Sequence, residues 1–140
     1  MEQSQIEEII PHRAPSLWID RIEELEPGIR CVATKVVAPD HPAFAGHFPG
    51  RPVLPGVFLI EAVAQTAGVM LGSAVERELE ATPLLAAVNR FKFLRPVGPG
   101  QELRIETRKL TEAGRLACVV GEVRVAGEKV AHGELSVASA

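Results

Sequence analysis

Cysteine is scarce in this chain: only Cys31 and Cys118 occur, far apart, with no CxxC pair and no histidine cluster beside either. That spacing supports neither a disulfide framework nor a structural zinc site, and two buried thiols in a reducing compartment are expected. An excess of positive charge is also missing. The 15 Lys and Arg are outnumbered by 18 Asp and Glu, for a net charge of -3, which excludes a duplex-binding module that works by neutralising phosphates. The first ten residues, MEQSQIEEII, lack the basic and apolar regions of a secretory signal, so a cytoplasmic protein is expected. Repeats, low-complexity tracts, internal linkers and a GxSxG nucleophile elbow are all absent from the sequence.

What is present is enough apolar material for one core. With 140 residues, 46% of them hydrophobic, a single domain over residues 1–140 is expected. Its most unusual stretch is 41–76, HPAFAGHFPGRPVLPGVFLIEAVAQTAGVMLGSAVE. Pro39 just before it, Pro42, Pro49, Pro52 and Pro55 within it, and the glycines Gly46, Gly50 and Gly56 restrict the backbone of the first half. From Gly56 the prolines stop and a helix of almost all apolar or small residues is predicted, interrupted by Glu61 and Gln65.

Upstream, Ser4 and Glu7 form a capping-box pattern and predict a short helix over 4–10, stopped by Pro11. Segments 17–25 and 29–38 read as strands. After Pro83 the period becomes two, predicting strands over 84–94, 102–110, 116–125 and 130–137, joined by short Gly-containing turns as an antiparallel meander. The class is therefore α+β. A helix apolar on nearly every face cannot lie on a sheet with one wet side, so the sheet must curl around it or a partner must cover it. A membrane span over 56–75 would place Glu61 and Gln65 in hydrocarbon, with no basic cluster at either end. In a soluble core, Ala62, Ala64, Ala67, Gly68 and Gly72 let strands approach the helix.

The central stretch also holds candidate acid–base chemistry. An imidazole has an ordinary pKa of about 6.5 and can accept a proton near neutrality, which suits His47 to a base's role. Glu61, on an apolar helix, is expected to be desolvated and to hold a proton for donation. The leading N–H groups of the helix, around Gly56 and Val57, could stabilise an enolate-like oxygen, with Pro55 at the first helical position. Taken alone, each residue has a plainer reading: His47 as a turn histidine satisfied by backbone, Glu61 as a carboxylate paired with arginine or bonded to backbone at an interface. His12, His41 and His132 read as structural, and Phe44, Phe48, Phe58, Phe91 and Phe93 as core.

Three segments, PHRAPSLWIDRI, GHFPGRPVLPGVFLIEAVAQTAG and FKFLRPVGPGQEL, closely resemble the 3-hydroxyacyl-acyl carrier protein dehydratases of bacterial type II fatty acid synthesis. The resemblance implies a hotdog fold, an antiparallel sheet wrapped around one central helix. It implies a homodimer, commonly a trimer of dimers, whose shared sites take the histidine from one subunit and the glutamate from the other. By the same resemblance His47 removes the α-proton of a 3-hydroxyacyl thioester, Glu61 helps hydroxide leave as water, and Gly56 N–H holds the thioester carbonyl. No metal or organic cofactor is implied.

Glutamate at position 61 resembles the branch that dehydrates without isomerising. Ala14 and Ser16 stand where the family usually brackets the proline with aromatics, and Trp18 where an aliphatic residue is common, so the acyl pocket or its gate is expected to differ. A polyketide or polyene pathway is compatible with this. Arg90, Lys92 and Arg95 are the expected docking charges for the acidic acyl carrier protein, against the plainer reading of a solvated strand face. Other readings are a hotdog acyl-CoA hydratase or thioesterase, and a non-catalytic acyl-binding or scaffold subunit.

Overall fold

The computed structural model describes residues 1–47, 50–74 and 83–139. Its elements are α1 (Gln3–Ile9), β1 (Arg21–Glu26), β2 (Arg30–Val36), α2 (Ala43–Gly46), α3 (Gly56–Gly72), β3 (Pro83–Phe93), β4 (Glu102–Ala113), β5 (Leu116–Val125) and β6 (Glu128–Ser139). Alternation along the strands sets the layers. In β4, Leu103, Ile105 and Thr107 are buried while Glu102, Arg104 and Arg108 face solvent. In β5 the buried positions are Ala117, Val119, Gly121 and Val123. The buried set faces α3, which packs against β2, β3, β4, β5 and β6, so the sheet curls around the helix.

The six strands form one antiparallel sheet in the order β1-β2-β4-β5-β6-β3. The expected four-strand meander is limited to β4, β5 and β6. Because β2 occupies one edge of β4, with Ala33 opposite Ile105, β3 pairs instead with the outer edge of β6, with Val88 opposite Leu135. β3 is therefore an edge strand. Its apolar side chains are unusually open: Leu84, Leu85, Val88 and Phe93 are 42–50% exposed.

Helix α3 is buried along most of its length, Leu59, Ala62, Val63 and residues 65–71 lying inside. The part of the sequence expectation over 75 and 76 lies outside the described residues, as does Phe48. Among the described residues no helix is long and apolar enough to cross a membrane. Gly68 and Gly72 do not chiefly admit strands. A side chain at Gly72 would meet Ile9 Cγ2 at 2.8 Å, and one at Gly68 would meet Ile10 Cγ2 at 3.2 Å, so these glycines seat the end of α1. The strand that approaches closely does so through its own glycine, Gly121 of β5, under Val63.

Three local expectations change. The capping box of helix α1 lies two residues before the Ser4–Glu7 pattern, between Glu2 and Gln5, whose Oε1 accepts from Glu2 N at 2.9 Å. The reason is tertiary: the Met1 amino group donates to Ile22 O at 2.9 Å and draws the start onto β1. The segment before β1 is buried at Leu17, Trp18 and Ile19 but is not yet strand. Finally, Cys31 is buried, which pushes its thiol up to about 12, whereas Cys118 lies on the outer side of β5 and is only half-buried, its Sγ 3.4 Å from Ser136 Oγ.

Candidate active site

The restricted loop before α3 places an imidazole. His47 caps α2, its backbone N–H donating to Ala43 O at 3.1 Å. Its Nδ1 lies 2.7 Å from Val53 O. A carbonyl can only accept, so Nδ1 carries the proton and the ring's lone pair falls on Nε2. The plain reading of a backbone-satisfied histidine and the chemical reading of a base are thus compatible, one for each nitrogen. The start of α2 is held by His41, whose Nδ1 accepts from Ala43 N at 3.1 Å and whose ring packs edge-on to Trp18 and Phe58 at 5.2 and 5.4 Å. Leu54 N donates to Val97 O at 2.7 Å and ties the loop to the segment after β3.

Pro55 is the N-cap of α3 rather than its first helical residue, with φ -56 and ψ 134. Gly56 and Val57 therefore lead the helix, and their N–H groups have no partner inside it. Phe58 N, next in line, turns back to Pro55 O at 3.1 Å. His47, Gly56, Val57, Ile60, Phe93 and Arg95 line one cavity of about 500 Å³. A side chain at Gly56 would meet Phe93 Cε1 at 2.8 Å. The glycine keeps the helix start open to the cavity, and Phe93, expected in the core, instead forms a half-exposed wall of it.

Glu61 opens elsewhere. It lines a second cavity, of about 600 Å³, with Ala14, Ser16, Trp18, Lys35 and Phe58 among its walls. Its side chain is 39% exposed, so the expected desolvation by the chain's own core is not realised: the helix turns this residue outward, between the aromatic cluster and the loop after α1. Among the described residues no arginine pairs with it. Gln65 Nε2 donates to Glu61 Oε1 at 2.8 Å and to Ser16 O at 2.7 Å, while Gln65 Oε1 accepts from Trp18 N at 2.7 Å. His12 Nε2 stands 3.6 Å from the same Glu61 oxygen.

Within one chain, then, His47, Gly56 and Val57 come together and Glu61 does not join them in their cavity. Two polar partners of Glu61 went without a role in the sequence reading. Gln65 was legible as a Glu-x-x-x-Gln pair at helical spacing, one turn apart on one face. His12 carries no such signal, since a loop brings it in. Of the three candidate docking residues, Arg95 borders the His47 cavity and its Nη1 is paired with Glu128 at 2.7 Å. Arg90 has φ 52 within a register shift between Asn89 and Lys92, so the simple alternation expected for Arg90 and Lys92 is interrupted there. All three are exposed.

A sheet curled around one helix, with a histidine held just before the helix and a glutamate on it, defines a hotdog fold. The chain belongs to the FabA-like family, whose domain matches residues 10–134. It is 43% identical over 136 residues to a protein of Geotalea uraniireducens (strain Rf4) named 3-hydroxyacyl-[acyl-carrier-protein] dehydratase FabZ, covering 96% of this chain and 94% of that one. A Clostridium acetobutylicum protein of the same name is 43% identical over 132 residues, covering 94% and 93%. Among solved structures, the dehydratase heterocomplex ApeI:P of Xenorhabdus doucetiae matches with a TM-score of 0.81 at 22% identity, over 96% of this chain and 90% of that one. A hypothetical thioesterase with coenzyme A from Streptococcus pneumoniae TIGR4 matches at 0.66 and 14% identity, over 86% and 84%. These two likenesses concern the fold alone.

Proposed function

We propose that this chain removes water from 3-hydroxyacyl groups carried as thioesters on acyl carrier protein, giving trans-2-enoyl thioesters, in type II fatty acid synthesis or a related polyketide or polyene pathway. The observation that carries the mechanism is the bond from His47 Nδ1 to Val53 O, which leaves a basic Nε2 in the same cavity as the leading N–H groups of α3. Nε2 takes the α-proton, and the electron pair of that C–H bond becomes the new C2–C3 bond pair as the C3–O bond breaks. Glu61 gives its proton to the departing hydroxyl, which leaves as water. The N–H groups of Gly56 and Val57 hold the thioester oxygen while negative charge gathers on it. A proton then passes from His47 back to Glu61, and both groups are restored.

The two residues meet across a homodimer, one supplied by each subunit, and three such dimers can build a hexamer. Separation of the two groups into different cavities and the open apolar edge of β3 both support sharing between copies. Arg95, at the rim of the His47 cavity, with Arg90 and Lys92 along β3, offers positive charge to an acidic carrier in the cytoplasm.

The test is direct turnover. Purified protein given 3-hydroxyacyl thioesters on carrier protein should produce enoyl absorbance, reversibly, with no release of free thiol. A folded, dimeric protein inert in both directions across several acyl lengths sinks the reading, and thiol release would make it a thioesterase.

A further inference from the structure

The order of atoms in a 3-hydroxyacyl thioester decides which way the rest of the acyl group runs. With C1 at the N–H groups of Gly56 and Val57, C2 at His47 Nε2 and the C3 oxygen at Glu61, the group continues from C4 past Glu61. It enters the cavity of about 600 Å³ on the subunit that supplies the acid, while the thioester arm leaves past Arg95. Two features of that cavity depart from the family pattern. Ala14 and Ser16, where aromatics are usual, are exposed in its wall on either side of Pro15, and two such small side chains leave a gap there. Trp18, where an aliphatic residue is common, is buried and packs its ring on Phe58, with centroids 4.6 Å apart and 32° between the planes. His41 meets both rings edge-on, and Lys35 Nζ lies 5.3 Å from the Trp18 ring. The indole is thus taken up by its neighbours. Phe58, three residues before Glu61, shares its helix face and is half-buried, so a group passing the acid meets a braced phenyl ring.

Resting on the dehydratase reading above, we propose that Ala14, Ser16 and Phe58 determine the substrate class, and that it consists of 3-hydroxyacyl groups ending in an aromatic ring. A flat ring laid on Phe58 gains an offset-stacked contact that a methylene chain does not. Phe58 is already held by Trp18 and His41, so little freedom is lost when the contact forms. The gap at Ala14 and Ser16 takes the width of the ring, which an aromatic pair at those positions would fill. The loop itself is seated through its backbone: Ser16 N and Leu17 N donate to Arg13 O at 2.8 and 3.1 Å, and Gln65 Nε2 donates to Ser16 O at 2.7 Å. Side chains at 14 and 16 can therefore be changed with those bonds intact.

The experiment compares kcat/KM for a phenyl-ended and a straight-chain 3-hydroxyacyl group of matched length, each on carrier protein. Wild type should turn over the phenyl-ended group at least as well as the straight one. Ala14→Phe combined with Ser16→Phe should lower the ratio of the two values about tenfold, and Phe58→Leu, which keeps apolar bulk without a flat face, should lower it too. A wild type that clearly prefers the straight chain, or a ratio that the double variant leaves unmoved, overturns the proposal. Binding supplies a readout independent of turnover, because Trp18 is the only tryptophan of the chain and there is no tyrosine. Unreactive pantetheine thioethers of the two acyl groups should shift its emission, the phenyl-ended one at the lower concentration in wild type, with that advantage lost in the double variant. Equal affinities for wild type overturn the proposal. A wild type inert on every thioester that still prefers the phenyl-ended thioether would defeat the dehydratase reading and uphold the preference of the cavity; one that is inert and binds both alike would defeat both.

Discussion

His47 and Glu61 stand in different cavities of the same chain, on either side of the first turns of α3. Gly56, Val57 and Ile60 face one cavity, while Phe58 and Glu61 face the other. Residues three and four apart share a helix face, whereas neighbours diverge, so the helical period itself separates the base's side from the acid's.

Complementation follows from that separation. His47→Ala and Glu61→Gln should each lower kcat by about a thousandfold, within the range of a general acid or base, with the fold intact by circular dichroism. Subunit exchange between the two inactive proteins should restore activity, because a mixed dimer holds one site with both groups. No recovery after exchange verified by mass-tagged subunits would place the two residues in one chain's site.

Strand β3 should govern association. Val88 is 42% exposed on this edge strand, and a carboxylate in a buried strand pairing is strongly unfavourable. Val88→Asp is expected to shift the protein to monomer by light scattering and to abolish turnover without unfolding it. A variant that stays dimeric would move the interface elsewhere.

Two glycines should respond differently to one methyl group. Gly121→Ala places a side chain against Val63 in the core, where overpacking costs about 1–3 kcal/mol. Gly56→Ala meets a ring, Phe93, that is 50% exposed and can swing aside. Urea unfolding should therefore show a loss for Gly121→Ala and little change for Gly56→Ala, while kcat/KM falls for Gly56→Ala because the methyl and the displaced ring enter the His47 cavity.

Acid should weaken the outer face of the sheet through Glu106. A hydrogen bond from Arg30, at 3.0 Å, holds the Glu106 carboxyl below the usual carboxylate range. A lowered value means the contribution is present above the ordinary carboxylate range and is lost as pH falls through the lowered one. Glu106→Gln should be less stable than wild type near neutral pH, and the two unfolding curves should converge toward low pH. A gap that persists unchanged in acid would assign the effect to packing.

Much of the fold was legible because its signals are local. The proline-free apolar run marked α3, and period-two segments marked the strands from Leu84 to Val137. Strand order was not legible, since the pairing of Val88 with Leu135 depends on which edges remain once Ala33 has taken its place beside Ile105. The candidate site divides in the same way. His47, Gly56, Val57 and Glu61 lie in one recognisable stretch, and Gln65 continues its helical spacing. His12 comes from a loop whose approach depends on the bonds from Gln65 to Ser16 and Trp18, and no spacing in the chain encodes that.

The placement of β3 also bears on the order in which the molecule can be completed. Synthesis makes β3 before β4, β5 and β6, yet its neighbour in the sheet is β6. During translation β3 must wait, with Leu84, Leu85 and Val88 unshielded, until three further strands have left the ribosome. The edge strand is therefore among the last parts of the sheet to be seated, and until then its apolar side chains are open to the mispairing that unpaired strands invite.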